Sequence, residues 1–251
     1  MPNRSDFIRA QHKQCSIRQA ERGPDQTVLL QTGRYGRIGA DIRLDYNPYK
    51  CGRAGFHQIL SVLGRVLPRE DLTVFLRQAK VTRLDLAIDL PDLTLNDAIV
   101  RLKGTRKHGV YTSPRGQPET TYLSGARSNR AVAYNKPADS KAMPSRLRIE
   151  RRLKPGVRLP ELVNLPNPFS GVIAVATAPL RPLITEIHPD ILFDSMRTRG
   201  IQRALNLLSR PQRRILTAAI DDPANALLPS AHDLWAQWPR LLLDLGLSWP
   251  R

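Results

Sequence analysis

The sequence predicts an α+β fold: an antiparallel sheet with helices packed on one face and a charged face on the other, followed by a mainly helical C-terminal region. Three observations carry that expectation. Thr82 to Asp89 and Leu147 to Arg152 alternate apolar and charged residues with the period of two that marks half-buried strands. Phe56, Ile59, Leu60, Leu63 and Leu67 recur at helical spacing. Beyond residue 153 prolines become frequent, and the apolar stripes that follow have helical period.

Taken in order, residues 1–25 carry Arg4, Arg9, Lys13, Arg18 and Arg22 in polar sequence with weak periodicity, and read as a basic arm with some helical tendency. Residues 26–155 read as the main domain and 156–251 as a proline-punctuated, mainly helical region. Ile38 to Tyr46 alternates and predicts a strand. A helix through Leu67 follows, then a second after Pro68 containing Leu72, Phe75 and Leu76. In the strand 82–90, Leu84, Leu86, Ile88 and Leu90 share one face and Arg83, Asp85 and Asp89 the other, so the apolar face is the buried one. Thr94 with Asp97 has the form of a capping box and predicts a helix with Ala98, Ile99 and Leu102 facing inward. Thr120–Leu123 and Arg130–Lys136 flank a polar turn through Arg127, Ser128 and Asn129, a β-hairpin. The strand 147–152 places Arg148, Glu150 and Arg152 on one face. Residues 153–189 read as a linker or wrapping segment, 190–208 and 212–221 as helices, and the tail as an amphipathic stretch with Trp235, Trp238 and Leu242.

Composition narrows the function. The chain of 251 residues carries 39 Lys+Arg against 22 Asp+Glu, a formal charge of +17, which points to a polyanionic partner. Cys15 and Cys51 have no metal-ligand spacing and read as reduced thiols. No signal-like apolar segment and no membrane-spanning run is expected, so the expected location is the cytoplasm of a bacterial host. The five histidines are scattered without a His-x-His pair, which disfavours a histidine-bound metal nuclease. No phosphate-binding loop of the ATPase type is present, and Gly33, Gly36 and Gly39 form no dinucleotide fingerprint.

Asp85 and Asp89, four residues apart on one strand, stand about 13 Å from each other, too far to share one ion directly. One of them is therefore favoured as a ligand: Asp85, with Asp89 at the strand end and Glu150 supplying oxygen from a neighbouring strand. Oxygen donors select Mg²⁺ or Mn²⁺. The same residues also read as a cross-strand charge ladder on a solvated face. Tyr134 shares its strand face with Arg130, Val132 and Lys136. A phenol with pKa about 10 becomes a nucleophile only where cations stabilise the phenolate, and Lys136, a metal and nearby arginines are placed to do so. Attack on a DNA phosphodiester then leaves a phosphotyrosine-linked 5′ end and a free 3′ hydroxyl. The bland alternative is a packed strand tyrosine.

Four blocks in order, Ile42 to Lys50, Thr82 to Asp89, Gly116 through Arg127-Ser128-Asn129-Arg130 to Tyr134-Asn135-Lys136, and Leu147 to Glu150, resemble the Rep_trans family of rolling-circle replication initiators. The resemblance covers residues 35 to 155. It implies a metal-dependent nicking and joining enzyme with Tyr134 as nucleophile, assisted by Lys136 and Arg130, and Asp85, Glu150 and Asp89 at the metal. It implies DNA contacts from Arg83, Arg127, Ser128, Asn135, Arg148 and Arg152. The family commonly has an arginine two residues before the tyrosine, where this chain has Val132, so Tyr122 stands as a second candidate nucleophile. The implied partner is origin DNA, duplex or hairpin and single-stranded at the nick, with a host helicase and polymerase acting on the product; a homodimer is compatible. A relaxase of the same chemistry and a non-catalytic DNA-binding regulator are the alternatives.

Overall fold

The computed structural model describes residues 7–10, 14–18, 27–32, 42–65, 69–105, 107–112, 114, 118–124, 130–137 and 145–247. The fold mixes helices with antiparallel sheet. Its strands are β1 (Phe7–Ala10), β2 (Gln14–Arg18), β3 (Thr27–Thr32), β4 (Ile42–Asp45), β5 (Lys80–Val81), β6 (Leu84–Pro91), β7 (Ala98–Leu102), β8 (Lys107–Thr112), β9 (Pro118–Ser124), β10 (Arg130–Lys136), β11 (Arg146–Leu153), β12 (Val157–Arg158) and β13 (Val172–Ala176). Its helices are α1 (Pro48–Leu63), α2 (Arg69–Gln78), α3 (Pro189–Arg199), α4 (Ile201–Leu205), α5 (Arg210–Asp221), α6 (Ala231–Ala236) and α7 (Trp238–Asp244). None of the described helices is long and apolar enough to cross a membrane.

The chain divides into two compact units and passes between them after residues 79, 157, 163 and 236. The first comprises residues 1–79, 158–163 and 237–251. Its four-stranded antiparallel sheet has the order β1-β2-β3-β4, so the segment expected as a basic arm contributes two paired strands. Asn47 caps α1 by accepting the Lys50 N–H, Pro48 opens the helix, and Tyr46 stacks on the buried Phe56 ring. Trp238 of α7 donates its indole N–H to the Leu162 carbonyl.

The second unit comprises residues 80–157 and 164–236 and holds the residues of functional interest. Its five-stranded antiparallel sheet runs β6-β11-β10-β9-β8. Leu86, Ile88 and Leu90 of β6, Leu147 and Ile149 of β11, Ala131 and Ala133 of β10 and Leu123 of β9 line one face. Each large side chain buried there contributes about 1.5–3 kcal/mol.

What covers that face differs from the sequence expectation. Thr94 and Asp97 do form their cap, with the Thr94 N–H and hydroxyl both donating to the Asp97 carboxylate, but the chain that follows is the strand β7, not a helix. The reason is a partner far along the chain: β7 pairs antiparallel with β13, a strand inside the segment expected as linker. Ala98 and Leu102 of β7 and Val172 and Ala174 of β13 turn to the sheet, while Ile99 and Val175 turn the other way into a second core. Helices α3, α4 and α5 pack on that second core through Leu192, Phe193, Ala204, Leu205, Leu216 and Ile220. A two-stranded layer thus lies between the apolar face of the sheet and this helical cluster, with α3 also meeting the edge strand β8. The helix expected over 190–208 is broken at Gly200, whose φ of 88° an L side chain rarely adopts.

Candidate functional site

The strand register assembles the polar face of the five-stranded sheet. Residues opposite each other in an antiparallel pair project to the same side, so Asp89, Arg148, Tyr134 and Thr120 form one row across β6, β11, β10 and β9. Glu150 lies in the next row, between Ala87 and Val132, and Asp85, Arg152 and Arg130 form the row beyond. Arg146 and Lys136 pair at the other end. The hairpin thus puts Tyr134 on the side that carries Asp85 and Glu150.

The Tyr134 hydroxyl donates to Glu150 Oε1 at 2.7 Å. Arg148 stands directly opposite Tyr134 in the pairing, and its guanidinium draws the phenol pKa down against larger opposing causes. Its guanidinium clamps Asp89 with two bonds, Nε to Oδ1 at 2.5 Å and Nη2 to Oδ2 at 2.6 Å. Arg146, almost wholly buried, adds a third from Nε to Asp89 Oδ2 at 2.8 Å. Asp85 accepts from Arg83 at 3.0 and 2.5 Å and lies 3.7 Å from Arg152. Glu150 is the least neutralised of the three carboxylates, since Arg152 stands 4.0 Å away.

Electrostatics follow from these contacts. Burial, reinforced by the Glu150 carboxylate, pushes the Tyr134 phenol up to about 12, so at neutral pH it is a protonated donor held on Glu150. Asp89 is held below the usual carboxylate range, first by its hydrogen bond from Arg148. The Asp89→Asn variant should therefore lose about 3 kcal/mol in urea-melt stability, because it removes the carboxylate shared by the buried Arg146 and the largely buried Arg148; the value is at the lower end for such a loss since Asp89 is itself 30% exposed. The sign of the pH dependence follows from the depressed pKa. The wild type's advantage over the variant is full above about pH 4 and is lost as pH falls through the folded-state pKa of Asp89.

Two classes of carboxylate emerge. Asp89 is committed to two arginines, as suits a strand-end support. Asp85 is bound by Arg83, whose side chain is 58% exposed, and a pair of that kind costs little to open. Asp85 and Glu150 are diagonal neighbours across β6 and β11. Two such oxygen donors fit Mg²⁺ or Mn²⁺, which take one or two carboxylates and complete their shell with water and substrate phosphate. Among the described residues, no three His, Cys, Asp or Glu side chains group closely enough to cage an ion by themselves.

Asn135 requires a correction. It alternates with Tyr134 and so turns to the apolar side of the sheet, where its Oδ1 accepts the Leu95 N–H at 2.7 Å and anchors the turn before β7; it is not on the polar face with the other expected DNA contacts. Arg127 and Ser128 lie outside the described residues, as does the Tyr122 side chain, whose backbone pairs with Val132. Arg130 is exposed and Lys136 half-buried. Sequence reasoning missed Arg146, although its parity with Arg148, Glu150 and Arg152 in one strand was the available signal. No family model matches this chain, and no curated protein sequence matches it significantly.

Proposed function

We propose that the chain is a DNA nicking and joining enzyme that starts rolling-circle replication, with Tyr134 as nucleophile. The observation that carries the reading is the Tyr134 hydroxyl donating to Glu150, beside Arg148, on a cationic sheet face in a chain of charge +17. A structural tyrosine needs one partner; a nucleophile needs a proton acceptor on one side and a cation on the other.

In the proposed reaction, single-stranded DNA at the origin lies across the polar face with its phosphates on Arg130, Arg148 and Arg152. The Tyr134 oxygen attacks phosphorus as its proton passes to Glu150, and the P–O3′ bond breaks. The leaving 3′ oxygen takes up a proton, for which Lys136 on the same face is the donor. The products are a 5′-phosphotyrosine and a 3′-hydroxyl primer for a host polymerase. One phosphodiester is exchanged for another, so neither water nor a nucleotide is consumed, and reversal rejoins the strand. Arg148 stabilises the forming negative charge and, through Asp89, is itself held in orientation. Asp85, with the Glu150 oxygen that does not accept from Tyr134, would hold Mg²⁺ or Mn²⁺, and the ion would withdraw charge from the scissile phosphate.

The test is covalent. Purified protein is incubated with supercoiled DNA that carries this gene and its flanks, with Mg²⁺ or Mn²⁺, and stopped in detergent. A protein–DNA adduct should form, and peptide mapping should place the phosphate on Tyr134. Binding without any adduct would turn the reading into that of a DNA-binding regulator, and an adduct on Tyr122 would move the nucleophile to the adjoining strand.

A further inference from the structure

Between Ser195 and Ile220 the chain contains six arginines and no acidic residue. Two of the six have structural work. Arg197 donates to the carbonyls of Leu95 and Asn96, fastening α3 to the turn before β7. Arg213 donates to Asn206 Oδ1 at 3.0 Å and the Leu208 carbonyl at 3.3 Å, fixing the turn between α4 and α5. The other four, Arg199, Arg203, Arg210 and Arg214, are exposed and have no partner among the described residues.

Their placement is set by packing. Gln212, Leu216 and Ile220 turn α5 inward, and Gln212 locks it by accepting from Thr185 and donating to the Leu183 carbonyl. Arg210 and Arg214, one turn apart, therefore point outward, with Ala218 on the same side and the exposed Ile215 at its margin. The bond from Arg213 to Asn206 brings the exposed side of α4, with Arg203, to the first turn of α5. The nearby carboxylates are engaged elsewhere, Glu186 by Ser209, Asp194 by Arg197 and Asp221 by Arg101.

We propose that the outward face of α5, with the exposed side of α4 ahead of it, is a docking surface for duplex DNA. Charge complementarity selects the partner: unpaired guanidinium groups on one rigid helix face match a row of phosphates, and a helix of this kind fits the major groove, where Ile215 and Ala218 suit thymine methyl groups. The proposal rests on the reading of the chain as a DNA enzyme and adds a second contact to it. The surface lies beyond the β7/β13 layer from the Tyr134 face. It is turned away from the face that carries Tyr134, so its partner is double-stranded DNA and not the strand being cut.

The experiment compares wild type with Arg210→Ala/Arg214→Ala on a mixed-sequence duplex of about two helical turns and on a single strand of equal length, by fluorescence anisotropy over a salt series. Both side chains are exposed and unpaired, so the thermal midpoint should hold. Duplex affinity should fall about tenfold or more, the salt slope should drop by about two, one for each lost phosphate contact, and the preference for duplex over single strand should shrink. Arg210→Lys/Arg214→Lys should keep most of the slope. Unchanged duplex affinity and slope in the alanine variant overturn the proposal, even if the protein forms its covalent adduct, and would leave the surface to a protein partner. Loss of duplex binding supports it even if no adduct is ever found, which separates this test from that of the nicking reaction.

Discussion

Tyr134→Phe should bind origin DNA as the wild type does and fail to cut it. The cleavage rate, followed as release of a labelled fragment and as adduct in detergent gels, should drop by at least about 10⁴-fold, the scale on which loss of a nucleophile is measured. The variant removes one hydroxyl and its bond to Glu150, at a stability cost of about 1 kcal/mol. Glu150 does not become a stranded buried charge, because Arg152 stands 4.0 Å away and the carboxylate retains 16% exposure. The Asp89 clamp on Arg148 and Arg146 is untouched, so the phosphate-facing cations keep their places. A loss of cleavage with intact binding and an intact melting curve therefore reports chemistry and not folding. Tyr122→Phe is the paired control, since its backbone position is two strand residues and one strand away from Tyr134. Cleavage that survives Tyr134→Phe and vanishes in Tyr122→Phe would assign the nucleophile to β9.

The polar face was legible because strand parity is a local property. Leu84 to Leu90 and Arg146 to Glu150 alternate in sequence, and parity alone puts Asp85, Asp89, Arg148, Glu150 and Arg152 on one side, whereas Arg151 falls on the apolar side and is buried there. What parity does not supply is register. That Tyr134 lies opposite Arg148 and diagonal to Glu150 depends on how β10 and β11 slide against each other, which the alternation within either strand does not fix. The layer behind the sheet was illegible for a related reason. Thr94 and Asp97 gave a true capping signal, and their hydrogen bonds form, yet Ala98–Leu102 takes the strand offered by Val172–Ala176 some seventy residues on. In β13 itself the run Val172, Ile173 and Val175 is strand-like, but it sits among the prolines that mark the segment as irregular. The break at Gly200 was a single-residue signal inside an otherwise helical pattern, where glycine is tolerated often enough to be passed over.

Glu150→Gln should slow cleavage by about 10²–10⁴-fold while making the nucleophile more acidic. The two effects have opposite signs in ordinary reasoning, and that makes the variant informative. In the wild type the phenol is pushed up to about 12 by burial first, then by its hydrogen bond to the Glu150 carboxylate and the charge of that group. Glutamine removes the charge and keeps the shape, so the Tyr134 pKa should fall back towards the ordinary value of about 10, seen as the difference in phenolate absorbance between Glu150→Gln and its Tyr134→Phe double variant. If charge alone governed reactivity, the variant would cut faster at neutral pH, because more of the phenol is ionised. If Glu150 is the group that takes the proton as the phosphorus–oxygen bond forms, the variant has no acceptor and must wait for the rare phenolate. Its rate should then rise about tenfold per pH unit until the phenol titrates, while the wild type, which carries its own base, should show no such climb across the same range. A ligand role gives a different signature: cleavage by the variant would recover as Mg²⁺ or Mn²⁺ is raised at fixed pH, since the weakened site refills by mass action. Wild-type cleavage by Glu150→Gln at neutral pH and ordinary metal concentration would leave the bond at 2.7 Å a packing contact and remove the chemical reason for reading Tyr134 as a nucleophile.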